Sequence, residues 1–375
     1  MECEGATGGR DVPCEILLKI LVHLPVKSLI RFRCVGKSWK SLIESADFVS
    51  AHLDLNRRDE SHSRLLLMYY SLESKKSRYR LYADHGGGGF VEQLELEFPF
   101  KSYDTYYYVG SCSGLICFSD YLLNYLRIVL WNPSARSHRL VPIPRILDSD
   151  VSFYDVLSFG FDEKCGEYKV LRLIHVYGRH SAIVGQIEAE IYEVKTNLWR
   201  QVSVIVPCTV PHCSRQAFLN GFGHWIGFSR DAPHLKMVVM SFDFHGETFR
   251  EMDLPDGAAL WSTYNLMMTV HRGSLCLIEK DVVSGLCIWI MNKYGIGSSW
   301  TKLFTIDLVG DLGRWERVLG FRTNGEVLMV TENDELVSCD PESGKISRLG
   351  LHGIQISLEA VQYMECLSLL CPSIT

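Results

Sequence analysis

A period of about 50 residues runs through most of this 375-residue chain and restricts the fold more than any other feature. Five glycines each precede an apolar, β-rich run at spacings of 52, 55, 52 and 52 residues, namely Gly114, Gly166, Gly221, Gly273 and Gly325. A polar residue after a strand-like run recurs at spacings of 48, 61, 50, 49 and 48 residues, at Asp84, Asn132, Glu193, Asp243, Asn292 and Asp340. Two independent landmarks with one period predict about six copies of a four-stranded unit.

Repeated four-stranded sheets bury their faces only against neighbouring sheets, and a closed ring removes the exposed ends. We therefore predict a mainly-β domain, a kelch-like β-propeller of about six blades. The run Ser357–Leu370 can supply a last strand that closes the ring on the first blade. The spacing of 61 residues indicates an insertion between Asn132 and Glu193. The glycine pairs and spaced aromatics of kelch repeats are irregular here, so a β-sandwich or an irregular β-domain is the alternative.

The N-terminal part of the chain has a helical period instead. Apolar residues follow the i, i+3/i+4 rule and form one stripe, made of Ile16, Leu17, Ile20, Leu21 and Leu24. Pro25 ends this first helix, because the residue before a proline avoids the α region. A second helix is predicted over residues 26–35 and a third from Lys37 onward. Helices this short are marginal alone, so the stripe must cover either the rest of the chain or another protein.

Three motifs in this block resemble the plant F-box pattern, and they are VPCEIL at 12–17, LPVKSL at 24–29 and RFRCVGKSW at 31–39. Val12 stands where leucine is usual, and Gly36 where cysteine or serine is usual. The resemblance implies docking onto a Skp-family adaptor and, through it, onto a cullin–RING ubiquitin ligase. It also implies that nine residues lie at or just beneath the adaptor interface: Pro13, Ile16, Leu17, Ile20, Leu24, Pro25, Leu29, Val35 and Trp39.

The β-rich remainder resembles the F-box-associated domain that follows plant F-boxes. The matching segments include GSCSGLIC at 110–117, LWNPS at 130–134, FGFD at 159–162 and SWTKL at 299–303. Their order makes the resemblance specific, although each motif is weak alone. The resulting expectation is an α+β multidomain protein with a disordered N-terminus at 1–10, an F-box helical domain at 11–55, a linker at 56–63 and an F-box-associated domain at 64–375.

Composition excludes several classes of partner. A net charge of −6 argues against a general nucleic-acid binder, which needs a basic surface. The longest uncharged runs fall short of the roughly 18 residues that a membrane span needs. Thirteen scattered cysteines include no CxxC pair and no metal-ligand spacing. We therefore expect no metal, no cofactor, no nucleic acid and no membrane, and a reducing compartment, the cytosol or the nucleus.

The candidate catalytic residues have simpler interpretations. Asn132 reads as a turn residue, and His224 as a packing histidine with satisfied hydrogen bonds. His212 and Cys213 are neighbours in sequence, and adjacent side chains seldom orient each other as a nucleophile and base. Four cysteines are predicted to be core thiols, namely Cys112, Cys117, Cys366 and Cys371. Target contacts are expected from loops on one face of the ring, near residues 143–154, 175–186 and 206–215.

Two classes of function remain from the sequence. The resemblance implies a non-catalytic substrate-recognition subunit of an SCF (Skp–cullin–F-box) ubiquitin ligase, whose β domain binds an unknown target protein. The alternative from residue patterns is a propeller enzyme or small-ligand sensor with the helices as an internal cap. An F-box protein acting outside a ligase is the third reading. The second reading requires a convergent set of acids, histidines or metal ligands at the ring centre, and the sequence contains no recognisable set of this kind.

Overall fold

The computed structural model describes residues 14–58, 64–71, 73–84, 90–100, 106–122, 125–145, 152–177, 184–212, 214–232, 234–258, 263–281, 285–306, 315–353, 357–368 and 370. The N-terminal helices are α1 Cys14–Leu21, α2 Val26–Phe32, α3 Lys37–Ile43 and α4 Ala46–Arg58. The fourth helix was not expected from the sequence, and α2 ends three residues before Val35 because the chain turns there into α3. No helix among these residues combines the length and the apolar character that a membrane span requires.

Six antiparallel sheets follow the helices, and each is one blade of a propeller. Blade 1 contains β1 Arg64–Ser71, β2 Lys76–Ala83, β3 Val91–Leu96 and the last strand, β25 Glu359–Tyr363. Blade 2 contains β4 Tyr107–Cys112, β5 Leu115–Leu122, β6 Tyr125–Asn132 and β7 Ser137–Leu140. Blade 3 contains β8 Ser152–Asp162, β9 Glu167–Tyr177, β10 Val184–Glu193 and β11 Leu198–Val202.

The other three blades repeat this arrangement. Blade 4 contains β12 Cys208–Thr209, β13 Ala217–Leu219, β14 Phe222–Ser229, β15 Met237–Asp243 and β16 Thr248–Asp253. Its innermost strand is split, since β12 and β13 pair with opposite ends of β14. Blade 5 contains β17 Leu266–His271, β18 Ser274–Asp281, β19 Gly285–Met291 and β20 Trp300–Ile306. Blade 6 contains β21 Trp315–Phe321, β22 Val327–Thr331, β23 Glu335–Cys339 and β24 Ile346–His352.

Each of the two sequence landmarks occupies its own equivalent position in successive blades. The five glycines lie in the turns between the first and second strands, where all have φ between +61° and +93°. Glycine is favoured there because a Cβ is strained in the left-handed region. The polar landmarks end the third strand or follow it directly. Several of them form side-chain turns, as Asp340 does when its Oδ1 accepts the Glu342 N–H at 3.0 Å. The prediction of about six blades is confirmed.

The ring closes through its two termini. The C-terminal strand β25 pairs antiparallel with β1, from Arg64 opposite Tyr363 to Met68 opposite Glu359. Blade 1 therefore takes three strands from the start of the domain and its innermost strand from the end, which confirms the predicted closing strand. The innermost strands contact one another at five blade interfaces, and at the sixth β8 of blade 3 contacts β14 of blade 4. This closed ring excludes the β-sandwich alternative.

Apolar packing between blades forms the core. Six clusters of buried side chains each join two neighbouring blades, one cluster for each interface of the ring. The cluster between blades 6 and 1 contains Leu65 and Leu67 from β1 and Leu328 and Val330 from β22. All five residues of β22 are buried, because both of its faces are covered by other blades. Such strands read as continuous apolar runs.

The ring has two different faces. We call the turn face the one where first strands turn into second strands and third strands into fourth strands. The loop face is the opposite one, where second strands lead to third strands and each blade leads to the next. The spacing of 61 residues falls in blade 3, where β8 and β9 are 11 residues long and β10 is 10.

Candidate functional site: the helical surface and the loop face

The helices have a small core of their own. Leu21, Val26, Leu29, Ile43 and Phe48 are buried together, and Leu367 from the C-terminal segment is buried with them. Phe32 and Trp39 meet edge-to-face beside this core, with ring centroids 5.6 Å apart. The helical unit is therefore completed by a residue more than 300 positions away in the sequence.

The nine residues that the F-box resemblance implies divide by exposure. Four are exposed, and they are Ile16, Ile20, Pro25 and Val35. The large aliphatic side chains among them are 49%, 54% and 64% exposed at Ile16, Ile20 and Val35. Leu17, Leu24 and Trp39 are half-buried over the helical core, and Leu29 is buried within it. Pro13 lies outside the described residues. Ile16 and Ile20 are four residues apart on α1 and therefore lie on one exposed face, and neighbouring exposed apolar side chains can mark a surface that a partner covers.

Helix α4 attaches the helical unit to the turn face. Leu53 is buried in the cluster between blades 2 and 3. Arg57 donates to Ser113 Oγ at 2.8 Å and to Glu163 at 3.0 Å, both in first-to-second-strand turns. Asn56 lies in the segment assigned to a linker, yet it belongs to α4 and donates to the Glu365 carbonyl at 3.2 Å. The helices are therefore packed against the ring.

The segment after β25 holds this attachment together. Asn132 donates through Nδ2 to the carbonyl oxygens of Cys366 at 3.0 Å and Ser368 at 2.8 Å, while its Oδ1 accepts the Ala135 N–H at 3.1 Å. Asn132 is thus the turn residue that the sequence predicted and also an anchor for the C-terminal segment. Leu367 points into the helical core, and Leu370 is buried between blades 2 and 3. Only the apolar run CLSLL at 366–370 hinted at this role.

The three loops predicted for target contacts all connect strands at the loop face, on the opposite side from α4. Residues 146–151, 178–183 and 213 within them lie outside the described residues. The bases of the three loops touch one another. Tyr154 stacks on His175 with ring centroids 4.4 Å apart and donates to the Val210 carbonyl at 2.8 Å. His175 Nε2 accepts the Val210 N–H at 3.2 Å.

Buried histidines serve packing rather than proton transfer. His224 donates through Nδ1 to the Ala217 carbonyl at 3.1 Å, and its Nε2 accepts from the Tyr294 hydroxyl at 2.9 Å. Burial lowers the pKa of His224 to about 4, so the ring is neutral at physiological pH. The interpretation as a satisfied packing histidine is confirmed. His212 packs edge-on against Tyr154, and Cys213 and Cys371 lie outside the described residues.

The thiols with described side chains at Cys112, Cys117 and Cys366 are buried, and burial raises the pKa of each one. Thiols with a raised pKa are poor nucleophiles, so these residues are core thiols as predicted.

One group of possible metal ligands lies on the turn face between blades 3 and 4. His245 Nδ1 is 3.2 Å from Asp162 Oδ1 and 3.9 Å from Cys165 Sγ. The carboxylate already accepts the backbone N–H groups of Lys164 and Cys165, and the Lys169 ammonium is 3.4 Å away. Its negative charge is balanced without a metal, so the group reads as a turn braced by salt bridges.

A partner-binding helical module on a closed ring defines an interaction protein. Comparison with known families agrees with this class. The F-box domain matches residues 10–50, and the F-box associated beta propeller domain matches residues 67–371. The second match covers most of the chain, so the protein belongs to the F-box proteins that carry an F-box-associated β-propeller. F-box domains bind Skp-type adaptors.

Named relatives come from Arabidopsis thaliana. F-box protein At3g07870 is 27% identical over 410 residues, which cover 97% of this chain and 93% of the relative. F-box/kelch-repeat protein At3g23880 is 28% identical over 310 residues, covering 81% and 82%. F-box protein CPR1 is 26% identical over 381 residues, covering 96% and 89%. The similarity extends through both domains.

Proposed function

We propose that this protein is the substrate-recognition subunit of an SCF ubiquitin ligase, without catalytic activity of its own, in the cytosol or the nucleus. The observation that carries the proposal is the exposed aliphatic surface at Ile16, Ile20 and Val35, on an F-box that is packed against a propeller. A Skp-family adaptor covers this surface and links the chain to a cullin–RING ligase. The loop face holds the target protein.

The positive charge of the helical unit also supports docking of an adaptor there. Lys27, Arg31, Lys37 and Lys40 are exposed on α2 and α3. A cationic surface around apolar anchors accelerates the approach of an acidic partner. The anchors themselves supply most of the affinity once they are buried.

Proximity is the mechanism. A receptor that holds a target lysine near a cullin-bound conjugating enzyme raises the effective concentration of that lysine, and no group on the receptor takes part in bond making. The attachment of α4 to the turn face supports a fixed direction from the adaptor to the loop face. A flexible joint would spread the target over many positions and lower its effective concentration.

Co-expression with a Skp-family adaptor followed by size-exclusion chromatography tests the proposal. We expect a one-to-one complex that survives the column. Ile20→Asp puts a charge on the apolar surface and should weaken binding at least about tenfold, because a buried unpaired charge is costly. The matched control is Leu235→Asp, since Leu235 is 83% exposed in the connection between β14 and β15, on the loop face opposite α4. Equal affinity of both variants and the unmodified chain would refute the adaptor surface.

Assembly with a cullin separates a ligase subunit from an F-box protein that acts alone. The purified adaptor complex is mixed with a cullin–RING subunit, and co-elution is the expected result. A complex that binds the adaptor and excludes the cullin would show that the protein acts outside a ligase.

A further inference from the structure

A polar cavity lies on the loop face near the ring centre, between blades 4, 5 and 6. Its volume is about 160 Å³, and its polar lining consists of Ser214, Arg215, Thr263, Asn265, Lys280 and Arg317. Apolar side chains of β14, β17, β18, β19 and β21 form the rest of the wall. This volume admits a side chain and excludes a folded element of a partner.

The charges in this cavity are unequal. Arg215 and Arg317 both bind the carboxylate of Glu359, the first residue of the closing strand. Arg215 Nη1 donates to Glu359 Oε2 at 2.7 Å, and Arg317 Nη2 donates to Glu359 Oε1 at 2.8 Å. Lys280 adds a third cation to the wall. Among the described residues, two guanidinium groups therefore share one carboxylate at this site.

Lys280 and Arg317 lie on strands β18 and β21, and Arg215 lies in the connection between β12 and β13. Arg317 lies on β21, the innermost strand of blade 6, and its side chain is 23% exposed. Burial lowers the pKa of the Arg317 guanidinium, Glu359 opposes this effect, and the neighbouring Arg215 adds to it. A partly desolvated guanidinium beside a second one lies in a positive potential, which an added anion would reduce.

We propose that this cavity binds an anionic side chain, a carboxylate or a phosphate, on an extended segment of the target protein. The inference rests on the proposed function and specifies the chemistry that the loop face recognises. Guanidinium and ammonium groups attract both anions, and at this site Glu359 already occupies both Nη atoms of Arg215 and Nη2 of Arg317. The cavity admits one side chain, so the flanking residues of the target lie across the loop face.

Peptide binding by the full chain in complex with a Skp-family adaptor tests this inference. Three fluorescein-labelled pools of ten-residue peptides share random flanks and carry glutamate, phosphoserine or serine at the centre. Fluorescence anisotropy should show that at least one anionic pool binds about tenfold or more tightly than the serine pool. Preference for glutamate identifies the carboxylate, and preference for phosphoserine that free phosphate competes away identifies the phosphate. Equal binding of the three pools overturns the proposal.

Two variants localise the effect. Lys280→Gln and Arg215→Gln each remove one cation and should reduce the anionic preference at least about fivefold, with two independent variants guarding against misfolding in one. The matched control Lys236→Gln changes an exposed lysine that pairs with Asp253 elsewhere in blade 4 and should keep the full preference. A preference that survives both cavity variants would place the anion elsewhere and overturn the proposal.

Adaptor binding is measured on the same preparations. A chain that binds the adaptor and shows no anionic preference contradicts only the cavity. A chain that fails to bind the adaptor contradicts the ligase function, and in that case the peptide experiment on the chain alone decides the cavity separately.

Discussion

The two faces of the propeller are built from the same strands and carry different structures. On the turn face, first and second strands are joined by two to five residues, and the helices and the C-terminal segment pack against these short turns. On the loop face, successive blades are joined by five or more residues, and a cavity lined in part by Arg215, Lys280 and Arg317 opens near the ring centre. Short turns form a rigid surface against which another domain can pack. Longer connections leave cavities between them that a ligand can enter.

This difference separates two tasks. The turn face holds the helical unit of the same chain in a fixed orientation. It does so through many buried contacts. In the function proposed above, the loop face discriminates among targets, which side chains on longer connections can do without disturbing the blades. Variants on the turn face should therefore change stability, and variants on the loop face should change binding.

The largest effect is expected from Leu367→Asp. Leu367 is 3% exposed within the core of the helices, and a buried charge there removes both packing and solvation. We expect a loss of about 5 kcal/mol or more from the stability of the helical unit. Hydrogen exchange should show unprotected amides in α1 to α4 and unchanged protection in the blades. Retained protection in the helices would show that the C-terminal segment is dispensable for them.

A smaller effect is expected where blades 6 and 1 meet. Asp84 accepts from Arg322 Nε at 2.8 Å and from the Thr323 N–H at 2.9 Å, and both charged side chains are buried. Asp84→Ala leaves a buried cation with one partner fewer and should cost about 3 to 5 kcal/mol in urea unfolding. Asp253→Asn breaks an exposed pair with Lys236 and should cost much less, because solvent screens this pair. Equal losses would mean that burial does not govern these pairs.

Acid should destabilise both faces to a similar degree. Burial lowers the pKa of His175, beneath the loop face, and of His224, beneath the turn face, to about 4. The unfolded chain has histidine pKa values near 6.5, so it binds these protons first as the pH falls. Their contribution is complete above about pH 6.5 and decreases toward pH 4, by roughly 2 to 3 kcal/mol for each histidine.

Urea unfolding at pH 7.5 and pH 4.5 measures this effect. His224→Gln should flatten the dependence on pH, and the control His234→Gln, which changes an exposed residue, should leave it unaltered. An unchanged slope in His224→Gln would contradict the assignment of a neutral buried ring.

The smallest effects come from equivalent turn glycines. Gly273 has φ +74° and open space where a Cβ would lie, so Gly273→Ala should cost about 1 kcal/mol for the left-handed backbone alone. Gly114 has φ +80°, and a Cβ there would lie 2.6 Å from Cys366 Cβ and Sγ. Gly114→Ala should therefore cost at least about 1 kcal/mol more in thermal or urea unfolding. Equal costs would mean that the C-terminal segment yields without penalty.

Much of the architecture was readable from the sequence because local patterns determine it. The positive φ at five turns requires glycine or a residue of similar freedom, so the period of the ring is visible in the chain. The apolar runs of the central strands follow from burial, and the stripe that contains Ile16 and Ile20 follows from helical spacing. Four helices replaced the three expected because the apolar pattern at Phe48 and Leu53 continues in α4.

The repeat, the helical block and the strand that closes the ring could all be predicted from the chain, since each depends on the residues within one element. Only the packing of the whole chain shows that Leu367 completes the helical core and that Arg215, Lys280, Arg317 and Glu359 line or border one cavity. These residues are far apart in the sequence, and the packing of neighbouring blades and of the C-terminal segment brings them together. Contacts of this kind leave no local period, because the spacing between their members depends on how all the blades pack.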